Sequence, residues 1–426
     1  RTVMDMPKHL AEALVDGQTY ADFEKLHAVF TELRTTAPVA LAKPDGIEPF
    51  WFISKFDDLQ FVEKDNSLFH AGDKSTIMIT EEELKIVMEE TGGPNRFITL
   101  VQMDGEKHAA YRELTQSWFG PRSLRELEPR IRERTKDAVA SMLAKNNACD
   151  FATDIALYYP LRVIMDILGV ENEAEDMMLR LTQEVFGATD PEANATGREY
   201  TSIEERMAAM NSVIMESMAY FTALTESRRK EPKNDLASVF ANGKINGEPL
   251  GDIETYGYYA ITATAGHDTT SNSTTAGMWA LCQNPDLLAQ LKEDPSLIPA
   301  FVEESIRWES PVKHFMRTPV RDVQIRGVDI KANDWMMINF ACASRDEEIY
   351  ENPFEFDIHR KPNRHMALGY GAHVCLGQHL ARMEMRMFWE ELLPHLTHVE
   401  MAGPIKRVAA NFVSGPHSLP INFTTQ

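Results

Sequence analysis

The stretch Leu368-Gly369-Tyr370-Gly371-Ala372-His373-Val374-Cys375-Leu376-Gly377 places a cysteine where a glycine-rich loop leads into a helix. Gly369 and Gly371 permit tight backbone turns before the cysteine, and Gly377 permits a close approach of the helix that follows. The unpaired N–H groups and the positive end of the helix dipole stabilise an anionic sulfur. We therefore expect Cys375 to have a lowered thiol pKa and to bind a metal as a thiolate.

The helix after this loop is predicted from one apolar stripe. Leu376, Leu380, Met383 and Met387 follow one another at the spacing i, i+4, i+7 and i+11, which places them on one buried face. Pro394 predicts the end of the helix.

A second, longer helix is predicted over residues 252–284, because no proline occurs there before Pro285. At about 1.5 Å per residue it would be roughly 50 Å long and would cross the molecule. Its middle, residues 262–277, is rich in Thr, Ser and Gly, which are poor helix formers. We interpret this weakening as a groove or a polar site. A loop is the alternative for this segment.

Composition limits the classes of protein. The chain has 426 residues, a formal net charge of −22 and 43% hydrophobic residues. Such acidity disfavours nucleic acid as a partner, because phosphate binding needs clustered cations. No apolar run has the roughly 18 to 20 residues of a membrane helix, and four widely spaced cysteines favour a reducing compartment. We expect a cytoplasmic protein without membrane contact.

Two regions have strand patterns, and the rest of the chain is helical in pattern. Segments 38–42 and 50–54 bracket the turn pair Asp45-Gly46, which predicts a hairpin. Three further short strands are predicted within residues 320–339. No repeat or linker divides the chain, so we expect one domain over residues 1–426, mostly α with a small β region.

The loop resembles the cysteine-ligand signature of the cytochrome P450 family, Phe-Gly-x-Gly-x-His/Arg-x-Cys-x-Gly, with Leu368 in place of Phe. Four further motifs resemble the family's in the same order. They are His108-Ala109-Ala110-Tyr111-Arg112, Ala265-Gly266-His267-Asp268-Thr269-Thr270, Glu304-Ser305-Ile306-Arg307, and the segment from Asn352-Pro353 to Arg360. The resemblance is strongest to the soluble bacterial, ferredoxin-dependent branch that includes the α-terpineol hydroxylase. It implies a triangular prism of helices that encloses haem.

The resemblance also implies the site. The cofactor would be haem b with Cys375 as axial iron ligand, and Asp268 and Thr269 would be the catalytic pair that supplies protons. Glu304, Arg307 and Arg360 would form a structural ion network. The further cofactor-binding residues implied are His108, Arg112, Ala265, Arg317, His373 and Gly377, of which His108, Arg112, Arg317 and His373 would hold the two propionates. The implied substrate pocket comprises Phe97, Ile98, Leu100, Val101, Ile261, Thr264, Ala265, Phe315, Phe412 and Val413.

The function implied is hydroxylation of a small hydrophobic substrate, a monoterpenoid or an alkyl-aromatic, with O₂. Electrons would come from an iron–sulfur ferredoxin served by a flavin NAD(P)H reductase, and the protein would act as a monomer. An acidic ferredoxin would need a basic face near the sulfur. We predict that this face comprises Arg112, Arg122, Arg125, Arg382 and Arg386.

Three alternatives stay open on the residues alone. Cys375 could be a buried structural cysteine, the usual role of an isolated thiol. The chain could be a non-catalytic haem protein that binds or senses a gas. It could also be a zinc or cysteine hydrolase built on His373, Cys375 and His379 with His365 nearby.

Overall fold

The computed structural model describes residues 4–426, and most of this part of the chain is helical. The expectation of a mostly α fold with a small β region is confirmed. The α-helices are α1 (Lys8–Val15), α2 (Gly17–Ala21), α3 (Phe23–Thr36), α4 (Phe56–Lys64), α5 (Glu81–Thr91), α6 (Gly105–Gln116), α7 (Pro121–Leu143), α8 (Tyr158–Leu168), α9 (Glu175–Gly187), α10 (Ile203–Lys230), α11 (Leu236–Asn242), α12 (Asp252–Ala265), α13 (Asp268–Gln283), α14 (Pro285–Glu293), α15 (Ile298–Glu309), α16 (Phe340–Ala343) and α17 (Gln378–Leu392).

The strands are short, and most of them lie before residue 71 or after residue 313. They are β1 (Val39–Ala42), β2 (Phe50–Ile53), β3 (Phe69–His70), β4 (Ala148–Asp150), β5 (Lys244–Ile245), β6 (Glu248–Pro249), β7 (His314–Pro319), β8 (Val323–Ile325), β9 (Val328–Ile330), β10 (Trp335–Asn339), β11 (Leu396–Met401), β12 (Lys406–Arg407), β13 (Pro416–Ser418) and β14 (Pro420–Thr425).

The predicted hairpin and β10, the last strand predicted within residues 320–339, lie in one five-stranded sheet with the order β1-β2-β10-β7-β3, whereas β8 and β9 form a separate two-stranded sheet. The predicted hairpin pairs Val39 with Ile53, and β10 runs parallel to β2 with Trp335 beside Phe50. Side chains alternate between the two faces of a strand. Phe50 and Phe52 therefore join one apolar cluster, and Trp51 and Ile53 join another on the opposite face.

The long helix predicted over residues 252–284 is two helices, α12 and α13, separated by Gly266 and His267. Contacts with a distant segment hold this break. The buried His267 ring lies with Nε2 2.6 Å from the Leu157 carbonyl oxygen, and the Ser271 hydroxyl donates to the Ala156 carbonyl at 2.6 Å. The expectation of a continuous helix is therefore wrong, while the weakness predicted at its middle coincides with the break.

Helix α17 begins at Gln378, three residues after Cys375, so Leu376 precedes it. Leu380 and Met387 are buried as the stripe predicts, and Trp389 on the same helix is also fully buried. This helix packs against α7 and α15 and fixes the loop before it on the core. None of the helices within residues 4–426 combines the length and the apolar character needed to cross a bilayer.

Candidate functional site

A cavity lies between the break in the long helix and the loop that carries Cys375. Ala265, Gly266 and Thr269 line it from α12 and α13, while Cys375 and Gly377 line it from the loop. The two motifs singled out in the sequence therefore line one cavity.

The loop before Cys375 has the backbone that its glycines predict. Gly369 and Gly371 both have φ of +75°, a conformation that favours glycine. A Cβ on Gly371 would lie 2.1 Å from the carbonyl oxygen of Glu63, so the loop packs directly on the end of α4. The Cys375 N–H donates to the Leu368 carbonyl at 2.8 Å, which fixes the cysteine at the cavity.

The prediction of a lowered thiol pKa is wrong for the protein without its cofactor. Burial raises the pKa of Cys375, and this outweighs the opposing effects of the Gly377 N–H, Arg112 and Arg382. The free-energy cost of desolvating a thiolate in an apolar interior is larger than the stabilisation that one N–H and two distant cations provide. A coordinating metal deprotonates such a thiol outright. The Gly377 N–H, Arg112 and Arg382 would then stabilise the bound thiolate.

One end of the cavity is polar. His108, Arg112 and His373 line it, and the two imidazole rings have centroids 4.1 Å apart. Burial lowers the pKa of His373 to about 2, with smaller contributions from Arg317 and His108, and burial also lowers the pKa of His108. Both imidazoles are therefore neutral at pH 7. Arg317 does not line the cavity itself, because its Nε donates to Glu63 at 2.9 Å and it is Glu63 that reaches the wall.

These residues fit the haem group that the resemblance implies. The buried Nε2 of His108 has no hydrogen-bond partner, and Arg112 has no ion-pair partner among residues 4–426. Both are donors that suit carboxylates. A Cβ built on Gly377 would have no atom within 4 Å, so the start of α17 leaves room for a flat group. A sulfur on one wall, apolar walls and two free carboxylate-binding donors match an iron porphyrin with two propionates.

The break in the long helix carries an acid and a hydroxyl side by side. Asp268 is half-buried, and burial raises its pKa to about 6 against the opposing effect of Asn272. The Thr269 hydroxyl donates to the Ala265 carbonyl at 3.0 Å and lines the cavity. The neighbouring His267 is held neutral, because burial lowers its pKa to about 4. Asp268 is thus the group at the break that can gain or lose a proton near neutral pH.

The structure divides the predicted substrate pocket in two. Five of its residues line the cavity, namely Leu100, Val101, Ile261, Ala265 and Phe315. The other five, Phe97, Ile98, Thr264, Phe412 and Val413, do not line it. Phe97 packs on Tyr256, the Ile98 carbonyl packs on Gly257, and the Thr264 hydroxyl donates to the Ala260 carbonyl. Phe412 packs on Phe186, Phe315 and His314, and Val413 forms a β-bridge with Val312.

Glu304, Arg307 and Arg360 meet as the resemblance implies. Both Arg307 Nε and Arg360 Nε donate to the Glu304 carboxylate, the second at 2.9 Å. The side chains of Glu304 and Arg307 are fully buried, and that of Arg360 is 8% exposed. Arg307 also donates to the Ser344 and Pro353 carbonyls at 3.0 Å, so the network joins α15 to two distant loops.

The zinc alternative has no support in the geometry. His365 is 2.7 Å from the Glu303 carboxylate, away from any cluster with Cys375. Within the described residues, the one group of three potential ligand atoms close enough to share an ion is His70, Asp73 and Asp104. His373, Cys375 and His379 do not form such a group.

Two acids in the cavity wall were not predicted from the sequence. Glu63 lies at the polar end, and Glu384 of α17 is fully buried with one carboxylate oxygen lacking any described partner. Burial raises the pKa of Glu384 well above its usual range, so it is a neutral acid. A signal existed for Glu384, because it lies four residues after Leu380 and three before Met387 on the apolar stripe. No comparable signal marks Glu63.

Comparison with known proteins gives consistent matches over the whole chain. The family model for Cytochrome P450 matches residues 62–418. The protein named Cytochrome P450-terp from a Pseudomonas species is 43% identical over 420 residues, which is 98% of each chain. The crystal structure of CYP108D1 from Novosphingobium aromaticivorans has a TM-score of 0.91 and 41% identity and is covered, like this chain, in full. Mycobacterium marinum CYP268A2 in complex with pseudoionone has a TM-score of 0.88 and 27% identity over 99% of each chain.

Proposed function

This chain belongs to the cytochrome P450 family and is a monooxygenase that uses haem b, and from this premise we propose that it hydroxylates a small, uncharged terpenoid or alkyl-aromatic molecule. The observation that carries the proposal is the cavity that joins Thr269, the neighbour of Asp268, to Cys375 between mostly apolar walls.

The cofactor would be held by residues at two ends of the cavity. Cys375 would bind the iron. His108, Arg112 and His373 of the lining would hold the propionates together with Arg317, which lies beside His373 and is bound to Glu63. When bound, haem supplies an iron that binds and reduces dioxygen, and an electron-rich thiolate favours cleavage of the O–O bond. Leu368 accepts the Cys375 N–H on its carbonyl and, like Cys375, lines the cavity, so it contributes to the apolar surroundings of the sulfur.

Proton supply would fall to the broken helix. Insertion of one oxygen atom into a C–H bond leaves the other oxygen atom to be released as water, which requires two protons. Asp268, with a pKa raised by burial to about 6, exchanges a proton readily at neutral pH. Thr269 holds its hydroxyl proton on the Ala265 carbonyl and can turn it toward the cavity. The fixed, neutral His267 would position both residues without competing for the proton.

The walls support an apolar substrate. Leu100, Val101, Ile261 and Phe315 offer only hydrocarbon, and pockets of this kind bind ligands mainly by burying apolar surface. The hydroxyl of Thr262 also lines the cavity but already donates to the Tyr258 carbonyl at 2.6 Å. No basic side chain lies among the α12 residues of the lining, so a substrate carboxylate would be left unpaired there.

The names of similar proteins point the same way. P450-terp is 43% identical to this chain, and the related CYP268A2 was solved with pseudoionone, an unsaturated terpenoid ketone. A terpenoid of similar size is therefore the first substrate to examine.

The substrate class is tested by a ligand screen on the purified holoenzyme, read as the low-spin to high-spin change of the haem spectrum. We expect monoterpenoids and alkylbenzenes to give the change, with fatty acids and steroids as matched controls of greater length. Compounds that give the spectral change are then incubated with the enzyme, a ferredoxin and its reductase, and the products are identified. A strong response to fatty acids or steroids alone would contradict the proposal.

We also propose that an acidic ferredoxin docks on the face outside Cys375. Arg122 and Arg125 at the start of α7 are exposed and have no ion-pair partner among the described residues. The other predicted members of this face are engaged: Arg112 lines the cavity, Arg382 donates twice to Glu303 at 2.7 and 3.0 Å, and Arg386 donates to Glu390 at 2.7 Å. The docking proposal therefore rests on Arg122 and Arg125.

The test is charge reversal. Arg122→Glu with Arg125→Glu should slow reduction of the iron by ferredoxin at low salt and leave the substrate-induced spectral change as it is, since exposed charges act mainly on association rates. The control is Arg198→Glu, another exposed arginine, in the loop before α10. Equal reduction rates for the double variant and the unmodified protein would refute the docking face.

A further inference from the structure

A buried carboxylate lies at the end of the cavity where the propionates would be held. Glu63 is the second-last residue of α4, its side chain is 3% exposed, and it lines the cavity together with His108, Arg112 and His373. An acid is the least expected residue type beside a group that brings two carboxylates of its own. Nothing in the proposed function uses it.

Glu63 holds Arg317 in a defined orientation. Its Oε1 accepts from Arg317 Nε at 2.9 Å, and Arg317 Nη1 donates to the Met316 carbonyl at 3.0 Å. No described residue binds Nη2 of this guanidinium, which is the nitrogen left for a further carboxylate. Both side chains of the pair are only 3% exposed, so solvent screens their interaction weakly.

The charges at this end of the cavity do not balance once haem b is bound. Arg112 and Arg317 are the two permanent cations here, while burial lowers the pKa of His108 and of His373 in the protein without its cofactor. Two propionates and Glu63 make three carboxylates for these two cations. A surplus negative charge in a desolvated site is costly, and carboxylates that share such a site bind a proton instead.

We propose that Glu63 is a redox-tuning residue, which shares Arg317 with a haem propionate and takes up a proton when the iron is reduced. The inference rests on the haem b cofactor and is independent of the substrate and of the docking face. Burial raises the pKa of Glu63 against the opposing effect of Arg317, which agrees with a group able to hold a proton.

The elements that surround Glu63 offer few other groups that could take up the proton. β7 offers Arg317, and α6 offers Arg112, both cations, together with the neutral His108. The cysteine loop offers His373, whose pKa burial lowers to about 2 in the protein without haem. Lys64 on the same helix is exposed. Glu63 and the propionates are therefore the groups in this cluster that titrate.

The step balances in charge and atoms. One electron from the iron–sulfur donor converts ferric to ferrous iron, and up to one proton from solvent binds a carboxylate oxygen in the Glu63 cluster. No other bond forms or breaks. Since the added electron raises the proton affinity of nearby carboxylates, the reduction potential should fall as the pH rises. A tenfold difference in proton affinity between the two oxidation states corresponds to about 59 mV for a one-electron couple.

The test is spectroelectrochemical titration of the substrate-free holoenzyme between about pH 4.5 and 9, upward from the ordinary pKa of a glutamate carboxyl group. Three variants are compared with the unmodified protein. Glu63→Gln removes the charge and keeps the shape, and Glu63→Asp keeps the charge. Asp58→Asn is the matched control, because Asp58 lies on the same helix and pairs with Arg326 at 2.7 Å but does not line the cavity. The carboxylic acid region of the reduced-minus-oxidised infrared difference spectrum gives a second readout.

We expect Glu63→Gln to raise the potential at high pH, to flatten its dependence on pH and to remove an infrared carboxyl signal. Glu63→Asp should retain part of the dependence, and Asp58→Asn should retain all of it. An unchanged slope in Glu63→Gln with a full haem content would overturn the proposal. Loss of haem from both Glu63 variants would overturn it as well, since Glu63 would then be needed to hold the cofactor rather than to tune it.

Discussion

Asp268→Asn is expected to make the folded holoenzyme more stable at neutral pH while it slows product formation. The reason is the position of Asp268 at the break between α12 and α13, where burial raises its pKa from 3.8 to about 6. An amide has nearly the same shape and carries no charge to desolvate. The same burial that suits the acid to proton transfer therefore destabilises the fold.

The magnitude follows from linkage. The folded pKa of about 6 lies above the unfolded value of 3.8, so the stability that depends on Asp268 is complete below about pH 4 and is lost as the pH rises through about 6. About two pKa units at 1.36 kcal/mol each give an upper limit of about 3 kcal/mol. We expect about 1–3 kcal/mol, because the amide also changes the contact with Asn272. Loss of a general acid typically costs about 10²- to 10⁴-fold in rate.

The assay is urea unfolding at about pH 7.5 and pH 4.5, either side of the shifted pKa, together with product formed per electron consumed at the higher pH. The variant should unfold at higher urea than the unmodified protein at pH 7.5, and the difference between the two should be much smaller at pH 4.5. Asp176→Asn, an exposed acid on α9, is the control and should change neither quantity. A variant that is less stable at pH 7.5, or that forms product at the unmodified rate, would refute the reasoning.

Three further outcomes are expected. Cys375→Ser should abolish the ferrous carbonyl band of a thiolate-bound haem and all turnover, and a variant that keeps either would contradict the ligand assignment. In a urea titration, Glu304→Gln should lower the free energy of unfolding by about 3–5 kcal/mol, because it leaves two buried guanidinium groups uncompensated. The control Glu303→Gln should lower it by about 1 kcal/mol in the same titration, because the Glu303 side chain is 23% exposed. Phe315→Ala should weaken binding of a monoterpenoid by about tenfold or more in the spin-state titration, through the loss of apolar contact, and binding that is unchanged would remove Phe315 from the pocket.

What the sequence could predict is what is encoded locally. The turns at Gly369 and Gly371 follow from residue type alone, and the stripe on α17 follows from its spacing. The weak middle of the long helix was visible as a run of weak helix formers. The interruption of the helix there was not, because contacts of His267 and Ser271 with carbonyls more than one hundred residues away decide it.

Long-range pairing accounts for the rest. The strand β7 carries Arg317 and ends in a proline, so its pattern does not indicate a strand, yet it pairs with β10 over four residue pairs. Glu63 lies in a short amphipathic helix that also contains two aspartates, so its local sequence predicts a side chain exposed to solvent. It becomes buried only because β7 and the cysteine loop pack on it, which no local pattern reports.

The contact between Gly371 and the carbonyl of Glu63 has a consequence for how the chain matures. The ligand cysteine stands on a platform made by residues more than 300 positions earlier, and at Gly371 there is no room for even a methyl group. The end of α4 must therefore be in place for the sulfur to have its final position, so binding of iron porphyrin should depend on this amino-terminal helix. A polypeptide that lacks the first 64 residues would keep the whole cysteine signature at residues 368–377 and should still fail to bind haem.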